Sequence, residues 1–153
     1  MCSRPGLVSF VLVLAHVFAL GACGEEKTVP ATQVVVSVHS NLEVGRQLSR
    51  VDVEVRDAAT GKPVGTPRVF KLSAAKPDDD EVSLPFSFTV VQGEAERFRL
   101  DVIGYGPLGP SGALRSVIER KAVARFRTHE TLLLQVFLDQ VCFDHVCTEA
   151  STC

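Results

Sequence analysis

A strict alternation of apolar and polar side chains constrains this chain more than any other feature. Its clearest example is residues 49–57, "SRVDVEVRD", where valines face one side and charged residues the other: Val51, Val53 and Val55 against Asp52, Glu54 and Arg56. A period of two residues over that length is typical of a half-buried β-strand. The Gly/Pro segment "AATGKPVG" follows and predicts a turn.

The same alternation returns along the rest of the chain. Predicted strands are "TQVVVSVHS" with Val34, Val36 and Val38 inward, "PRVFKLS" with Val69 against Phe70 and Leu72, "LPFSFTVVQ" with Phe86, Phe88 and Val90 inward, "AERFRLDVIGYG" with Phe98, Leu100 and Val102 inward, and the most apolar one, "TLLLQVFLDQV". The charges of "LRSVIERKAVARFR" suit a helix almost as well, but its β-branched residues and the preceding "GPSG" favour a strand with a bulge. The segment "GPLGPSG" is a loop by composition.

About seven strands and no long helix predict an all-β fold. We expect a single sandwich of immunoglobulin-like or transthyretin-like type over residues 33–141, with apolar inward faces and outward faces of mixed charge. The sequence contains no tryptophan, so the immunoglobulin signature of core cysteines around a tryptophan is absent. The prediction of a sandwich therefore depends on the number of strands.

The N-terminal segment differs from the rest of the chain. Arg4 precedes an apolar run from Leu7 to Leu20, interrupted by Ser9 and His16. That run is shorter than the roughly 20 residues a membrane-spanning helix needs. A basic start, a short apolar core and small residues at its end are typical of a secretory signal peptide, which we place at residues 1–22.

The residues Leu20-Gly21-Ala22-Cys23 resemble the lipobox of bacterial lipoproteins. The resemblance covers residues 1–23 and implies that Cys23 receives a diacylglyceryl group, is cleaved from the signal peptide and is acylated. Covalent lipid on Cys23 is then the one expected cofactor, and residues 23–32 form a lipidated tether. In two-membrane bacteria Gly24, in place of Asp, implies the outer membrane, on its periplasmic face or at the cell surface. The alternative is an ordinary signal peptide with Cys23 a plain thiol.

Three cysteines, Cys142, Cys147 and Cys153, end the chain in a tail of residues 142–153. An exported protein meets an oxidising compartment, so we expect a Cys142–Cys147 disulfide and an unpaired thiol at Cys153. A tail that stops at its third cysteine looks truncated, and the residues leave open whether Cys153 is the natural end. The whole layout loosely resembles uncharacterised surface lipoproteins of δ-proteobacteria such as myxobacteria, a resemblance that implies no activity.

Two groups of metal-ligating residue types occur in the sequence, and neither is predicted to be a metal site. Cys142, His145, Cys147 and Cys153 offer zinc ligands, but their spacing matches no common zinc motif and export favours oxidation. The acidic run Asp78 to Glu81 lacks the alternating ligands and glycine of a calcium loop. We expect a solvated acidic loop there and no metal.

The remaining residues predict no catalytic site. His39, His129 and His145 are isolated in the sequence, Ser111 lies in turn-like "GPSG", and no nucleophile elbow is present. A net charge of −2 without a basic stripe excludes nucleic acid as an expected partner. We therefore expect a non-enzymatic envelope lipoprotein, held by its lipid anchor, that acts as an adhesion, scaffold or interaction module for other envelope proteins through its edge strands and the loops 75–82 and 104–113. The alternative is a small-ligand or carbohydrate-binding accessory domain, with Tyr105 as its outward aromatic residue.

Overall fold

The computed structural model describes residues 31–75, 77–108 and 112–145. These residues form eight strands, and no α-helix occurs among them: β1 (Gln33–Ser40), β2 (Arg50–Asp57), β3 (Arg68–Leu72), β4 (Glu81–Val82), β5 (Phe86–Val91), β6 (Arg97–Leu108), β7 (Ala113–Arg125) and β8 (Thr131–Leu138). A 3₁₀ turn at Gln140–Cys142 follows β8. The predicted all-β class is confirmed.

The strands form two mixed sheets. The small sheet has the order β5-β1-β8, and the large sheet has the order β4-β3-β2-β6-β7. In the small sheet, the first strand runs antiparallel to β5 and parallel to β8. In the large sheet, β3 and β4 are parallel and the other pairs are antiparallel.

One hydrophobic core joins the two sheets, and it contains most of the inward positions that the alternation predicts together with residues outside the strands, such as Leu42, Leu48 and Cys142. Val36 and Val38 of β1 are fully buried, as are Val51 of β2, Leu100 and Val102 of β6 and Leu138 of β8. The two sheets also meet through aromatic rings, since Phe70 of β3 lies 4.4 Å from Phe86 of β5, centroid to centroid. Burial of these side chains supplies the main driving force for folding.

The predicted bulge lies between β6 and β7. Gly104 is opposite Ile118 whereas Tyr105 is opposite Ser116, so Val117 is the extra residue of β7. Because a bulge shifts the alternation by one residue, Val117 and Ile118 are both buried although they are neighbours. The Val117 carbonyl accepts a hydrogen bond from the Asp144 amide at 2.8 Å, which holds the segment after β8 against the bulge.

The expected loop at 104–113 is wrong for most of its length, because β6 continues to Leu108 and pairs with β7 from Ala113 onward. Gly104 and Gly106 reflect close packing instead of a turn. A Cβ at Gly106 would lie 2.2 Å from the Gln47 carbonyl oxygen, nearer than any real Cβ contact.

The expected loop at 75–82 also needs correction, since its last two residues, Glu81 and Val82, form β4. This two-residue strand pairs parallel with the end of β3 and raises the number of strands above the predicted seven. Strand β4 is too short to show the period-two alternation in the sequence. Its pairing with β3 is a tertiary contact.

Candidate functional site

The outer face of the small sheet carries no Asp, Glu, Lys or Arg. Its outward-facing residues are Gln33, Val35, Ser37 and His39 of β1, Ser87, Thr89 and Val91 of β5, and Thr131, Leu133, Gln135 and Phe137 of β8. We call this surface the neutral face. The expectation of mixed charge on every outward face is therefore wrong for this sheet.

Large apolar side chains are exposed on the neutral face. Leu133 is 65% exposed, Val91 62% and Phe137 44%. The register places Val35 beside Leu133, and His39 beside Phe137. The ring of His39 stacks on Phe137 with centroids 6.5 Å apart. The outward sides of these apolar side chains are in contact with water. A partner surface that covered them would remove that water.

The outer face of the large sheet is an ionic lattice. Glu54 of β2 lies opposite Asp101 of β6, and two like charges in that position repel each other. Arg56 separates them, with its guanidinium 2.6 Å from a Glu54 oxygen and 3.3 Å from Asp101 Oδ2. Arg99 approaches the same Asp101 oxygen at 3.1 Å. The aliphatic parts of these arginine side chains lie against Asp101, which is 7% exposed.

Tyr105 lies on this charged face and is half-buried. The guanidinium of Arg50 covers its ring, 4.1 Å from the centroid. A sugar would have to displace this cation–π contact to stack on the ring. No second outward aromatic residue lies beside Tyr105 on the described strand β6. The ring of Tyr105, the residue named for carbohydrate binding, is covered by Arg50.

A cleft opens between the sheets at the end where β1 begins. Its volume is about 410 Å³, and apolar residues from both sheets line it, including Val55, Val90, Phe98 and Phe126. Polar groups lie at the rim, with Lys62 and Glu94 among them. Its size falls within the range of small-ligand pockets. No pattern in the sequence predicts this cleft, because its lining residues come from strands far apart in the chain.

Asp57 shapes one wall of the cleft. Its carboxylate accepts hydrogen bonds from the backbone amides of Ala59 and Thr60 at 2.7 and 2.8 Å. The Thr60 and Ala59 amides hold the pKa of Asp57 below its usual value because they stabilise the charged form. This Asx turn continues to Gly61, whose φ of +70° favours glycine.

The structure does not bring His39, His129 and His145 together into one site. His129 is exposed in a turn with φ of +62°, and His145 is exposed after the 3₁₀ turn. Ser37 Oγ and His39 Nε2 are 3.0 Å apart, which is the contact of a nucleophile with a base. No carboxylate among the described residues orients His39, so the pair lacks the third member of a triad. Ser111 lies outside the described residues.

Cys142 is 5% exposed, belongs to the hydrophobic core and forms no disulfide with another described residue. Asp144 adopts φ of +61° and the His145 amide bonds the Cys142 carbonyl at 3.2 Å, so a tight turn follows Cys142 as the disulfide would require. Cys147, Cys153, the lipobox residues Leu20, Gly21 and Ala22, and Cys23 lie outside the described residues. The pairing and the lipidation remain predictions.

Within the described ranges no three His, Cys, Asp or Glu side chains are grouped to hold a metal ion. Asp78, Asp79 and Asp80 are exposed. Asp80 forms an ion pair with Lys71, which lowers the pKa of the Asp80 carboxyl. Within the same ranges, no helix is long and apolar enough to cross a membrane.

Comparisons with known proteins do not identify the chain. No protein-family profile and no curated protein matches it. The crystal structure of a leucine-rich repeat protein from Bacteroides thetaiotaomicron aligns with 73% of this chain at 10% identity and a TM-score of 0.34. The aligned region spans 14% of that chain. A match with so low a TM-score carries no argument about this chain.

Proposed function

We propose that this chain is a lipid-anchored, non-enzymatic protein of the cell envelope whose β-domain is an interaction module. The lipobox at residues 20–23 and the apolar run before it support the anchor. Gly24 favours the outer membrane, at its periplasmic face or the cell surface. For the domain we propose an immunoglobulin-like or transthyretin-like sandwich, supported by two sheets that share one core.

The observation that carries the proposed interaction is the absence of charge from the neutral face. Removing a charged side chain from water is costly unless it is paired, and the buried centres of protein interfaces are depleted of charged residues. A partner can dehydrate Leu133, Val91 and Phe137 without removing a single ionised group from water. The ionic lattice of the large sheet offers no comparable surface.

The anchor is tested by the intact mass of the protein extracted from its own membranes. We expect the mass of residues 23–153 plus a lipid increment, and loss of that increment in the Cys23→Ser variant. Alkylation without reductant should modify fewer cysteines than alkylation after reduction if Cys142 and Cys147 are paired. A mass without lipid would overturn the anchor.

The interaction surface is tested by a photo-reactive amino acid in place of Leu133, with Val123 as the matched control. Both side chains are mostly exposed, at 65% and 55%, but Val123 lies on the charged face of β7. In intact cells we expect specific adducts from position 133 and few from position 123. Equal labelling from the two positions would contradict the assignment of the interaction to the neutral face.

The cleft supports a second candidate function, the binding of a small amphipathic ligand. Its apolar lining would hold the ligand body while Lys62, Thr60 and Glu94 at the rim meet a polar end. A Val64→Trp variant, at a wall residue that is 40% exposed, should fill the cleft without disturbing the core. If a screen of amphipathic ligands raises the melting temperature of the wild type but not of this variant, the cleft is the binding site.

A further inference from the structure

Strand β8 is an outer strand of the small sheet, because it pairs with β1 and with no other described strand. Its eight residues, "TLLLQVFL", include no charge. The Glu130 and Leu138 carbonyls bond residues 33 and 40 on the β1 side, at 3.1 and 2.8 Å. Since backbone groups alternate sides along a strand, the odd-numbered residues Thr131, Leu133, Gln135 and Phe137 direct theirs to the open edge.

The other outer strands are protected against pairing with another chain. Strand β7 carries Arg115, Glu119, Arg120, Lys121 and Arg125 and contains the bulge. Strand β4 has two residues. At β5, Arg68 donates to the outward Thr89 carbonyl at 3.3 Å, and the segment 64–66 lies beside this edge. Charges, bulges, short strands and covering segments are the usual means of blocking an edge.

Strand β8 has such protection at its C-terminal end, where β7 lies close to it. Arg120 Nε donates to the Phe137 carbonyl at 2.9 Å. The outward backbone groups of Thr131, Leu133 and Gln135 have no hydrogen-bond partner in the part of the chain that the structure describes. The inward-facing Leu132 and Leu134 are also only half-buried, so the core itself is partly open along this edge.

We propose that β8 pairs antiparallel with β8 of a second copy of this chain, with Gln135 opposite Gln135. Each outward residue must face an outward residue, since a slip of one position would turn apolar inward side chains to the solvent. Pairing centred on Gln135 meets this condition. It places Leu133 opposite Phe137 on the neutral face and Leu134 opposite Val136 on the inner face.

The match of β8 to itself argues for a second copy as the occupant. Between residues 132 and 138, every cross-strand pair in this register is apolar or joins two amides, and beyond them Thr131 lies opposite Asp139. A two-fold axis also uses both open edges at once, so the assembly closes as a dimer and does not extend into a fibre. A partner strand with the charges of β7 would place ionised groups against Leu133 or Phe137.

This inference rests on the proposed function and deepens it by naming the partner. One strand pair is smaller than the roughly 800 Å² per partner of a stable interface, so the dimer is weak in dilute solution. A lipid anchor confines the copies to one membrane and raises their effective concentration. The experiment therefore uses the full chain in its own membranes.

The test is disulfide cross-linking of a Gln135→Cys variant under mild oxidation. Directly opposite residues in a hydrogen-bonded antiparallel pair lie about 5.5 Å apart at Cα, within the range for a disulfide. We expect a covalent dimer well above the background of the wild type, which supplies the native cysteines. The matched control is Ser87→Cys, exposed on the same face at the opposite edge strand, and it should stay at background.

Two outcomes would overturn the proposal. Equal cross-linking of both variants would mean that neutral faces stack on each other, and background cross-linking of Gln135→Cys would mean that β8 does not self-pair. In either case the intact mass is read separately. A lipid increment without the cross-link would support the anchored module and contradict the dimer. A missing lipid increment would contradict the anchor, whatever the cross-linking result.

A charge-swap pair tests the same contact without cysteine chemistry. Gln135→Lys and Gln135→Glu each place like charges opposite each other in the dimer, so each alone should reduce co-purification of differently tagged copies by about tenfold. Co-expression of the two variants should restore it. Melting temperatures should match the wild type, because Gln135 is exposed. Failure of the mixed pair to recover, with both variants folded, would contradict the register.

Discussion

The two outer faces of this protein differ in charge although the strands beneath them follow the same alternation. The large sheet's outer face surrounds Asp101 with Arg56 and Arg99, whereas the neutral face exposes Leu133 and Phe137. Inward positions are apolar in both sheets. The inward half of the pattern therefore determines the fold, and the outward half determines which surface can meet a partner at low cost.

The largest expected effect is the difference in stability between a substitution in the core and one on the neutral face. Phe98 is 1% exposed and packs on Phe126 with centroids 5.0 Å apart. Phe98→Ala should lower the free energy of unfolding by about 3–5 kcal/mol, through lost burial and a cavity. Phe137→Ala, on a ring that is 44% exposed, should cost about 0.5–1 kcal/mol. Urea unfolding of both variants measures the difference.

A comparable loss of unfolding free energy in Phe98→Ala and Phe137→Ala would contradict this difference between the core and the neutral face. It would mean that the neutral face contributes to the stability of the monomer as the core does. Its exposed apolar residues would then have a structural role and no need of a partner.

The next effect concerns the charged face. Asp101→Asn keeps the shape of the side chain but leaves Arg99 without its ion pair and Arg56 with Glu54 alone. Breaking a buried pair costs about 3–5 kcal/mol. Because Arg99 is 41% exposed and solvent screens it, we expect about 1–2 kcal/mol. Chemical denaturation at low salt measures it.

The matched control is Glu119→Gln, which removes a single ion pair to Lys121 on the same sheet. Both of these side chains are 32% exposed and lie 3.3 Å apart, so the expected loss is about 0–0.5 kcal/mol. If Asp101→Asn costs no more than Glu119→Gln, the charged face is a set of independent surface pairs and not a lattice centred on Asp101.

The alternation in the sequence predicted the seven longer strands and the inward residues of most of them, because burial on one face leaves a local signal. Even the neutral face was visible in part, since Ser37, His39, Ser87 and Thr89 are the outward residues of two predicted strands. The residue pattern within one strand does not show which strands lie beside it. The position of β8 at an edge, the parallel pairing of β1 with β8 and the cleft all depend on contacts between distant segments.

The corrected prediction of a loop at 104–113 also shows that a local sequence pattern does not reveal tertiary contacts. Glycine and proline are turn residues by local preference, yet Gly106 lies inside β6 because the backbone of Gln47 leaves no space for a Cβ. Local composition reports the backbone freedom that a residue allows. It does not report whether a turn or a close tertiary contact makes use of that freedom.

The smallest expected effect is on acid stability, and it concerns both sheets equally. Asp57 is the last residue of β2 in the large sheet, and Asp139 follows β8 of the small sheet. Backbone amides of Thr60 and Ala59 lower the pKa of Asp57, and the Val141 amide with the Asn41 side chain lowers the pKa of Asp139. Each folded pKa lies below the usual aspartate value of 3.8, so each carboxylate stabilises the fold above that pH.

That stabilisation is lost as the pH falls through the folded pKa values, because the protons then bind the native state as well. The double variant Asp57→Asn/Asp139→Asn keeps both acceptors but cannot titrate. Its melting temperature should therefore fall less than that of the wild type between about pH 6 and about pH 2. Gln135→Ala, on the neutral face, should follow the wild-type curve. A double variant as acid-sensitive as the wild type would contradict the assignment of this acid sensitivity to Asp57 and Asp139.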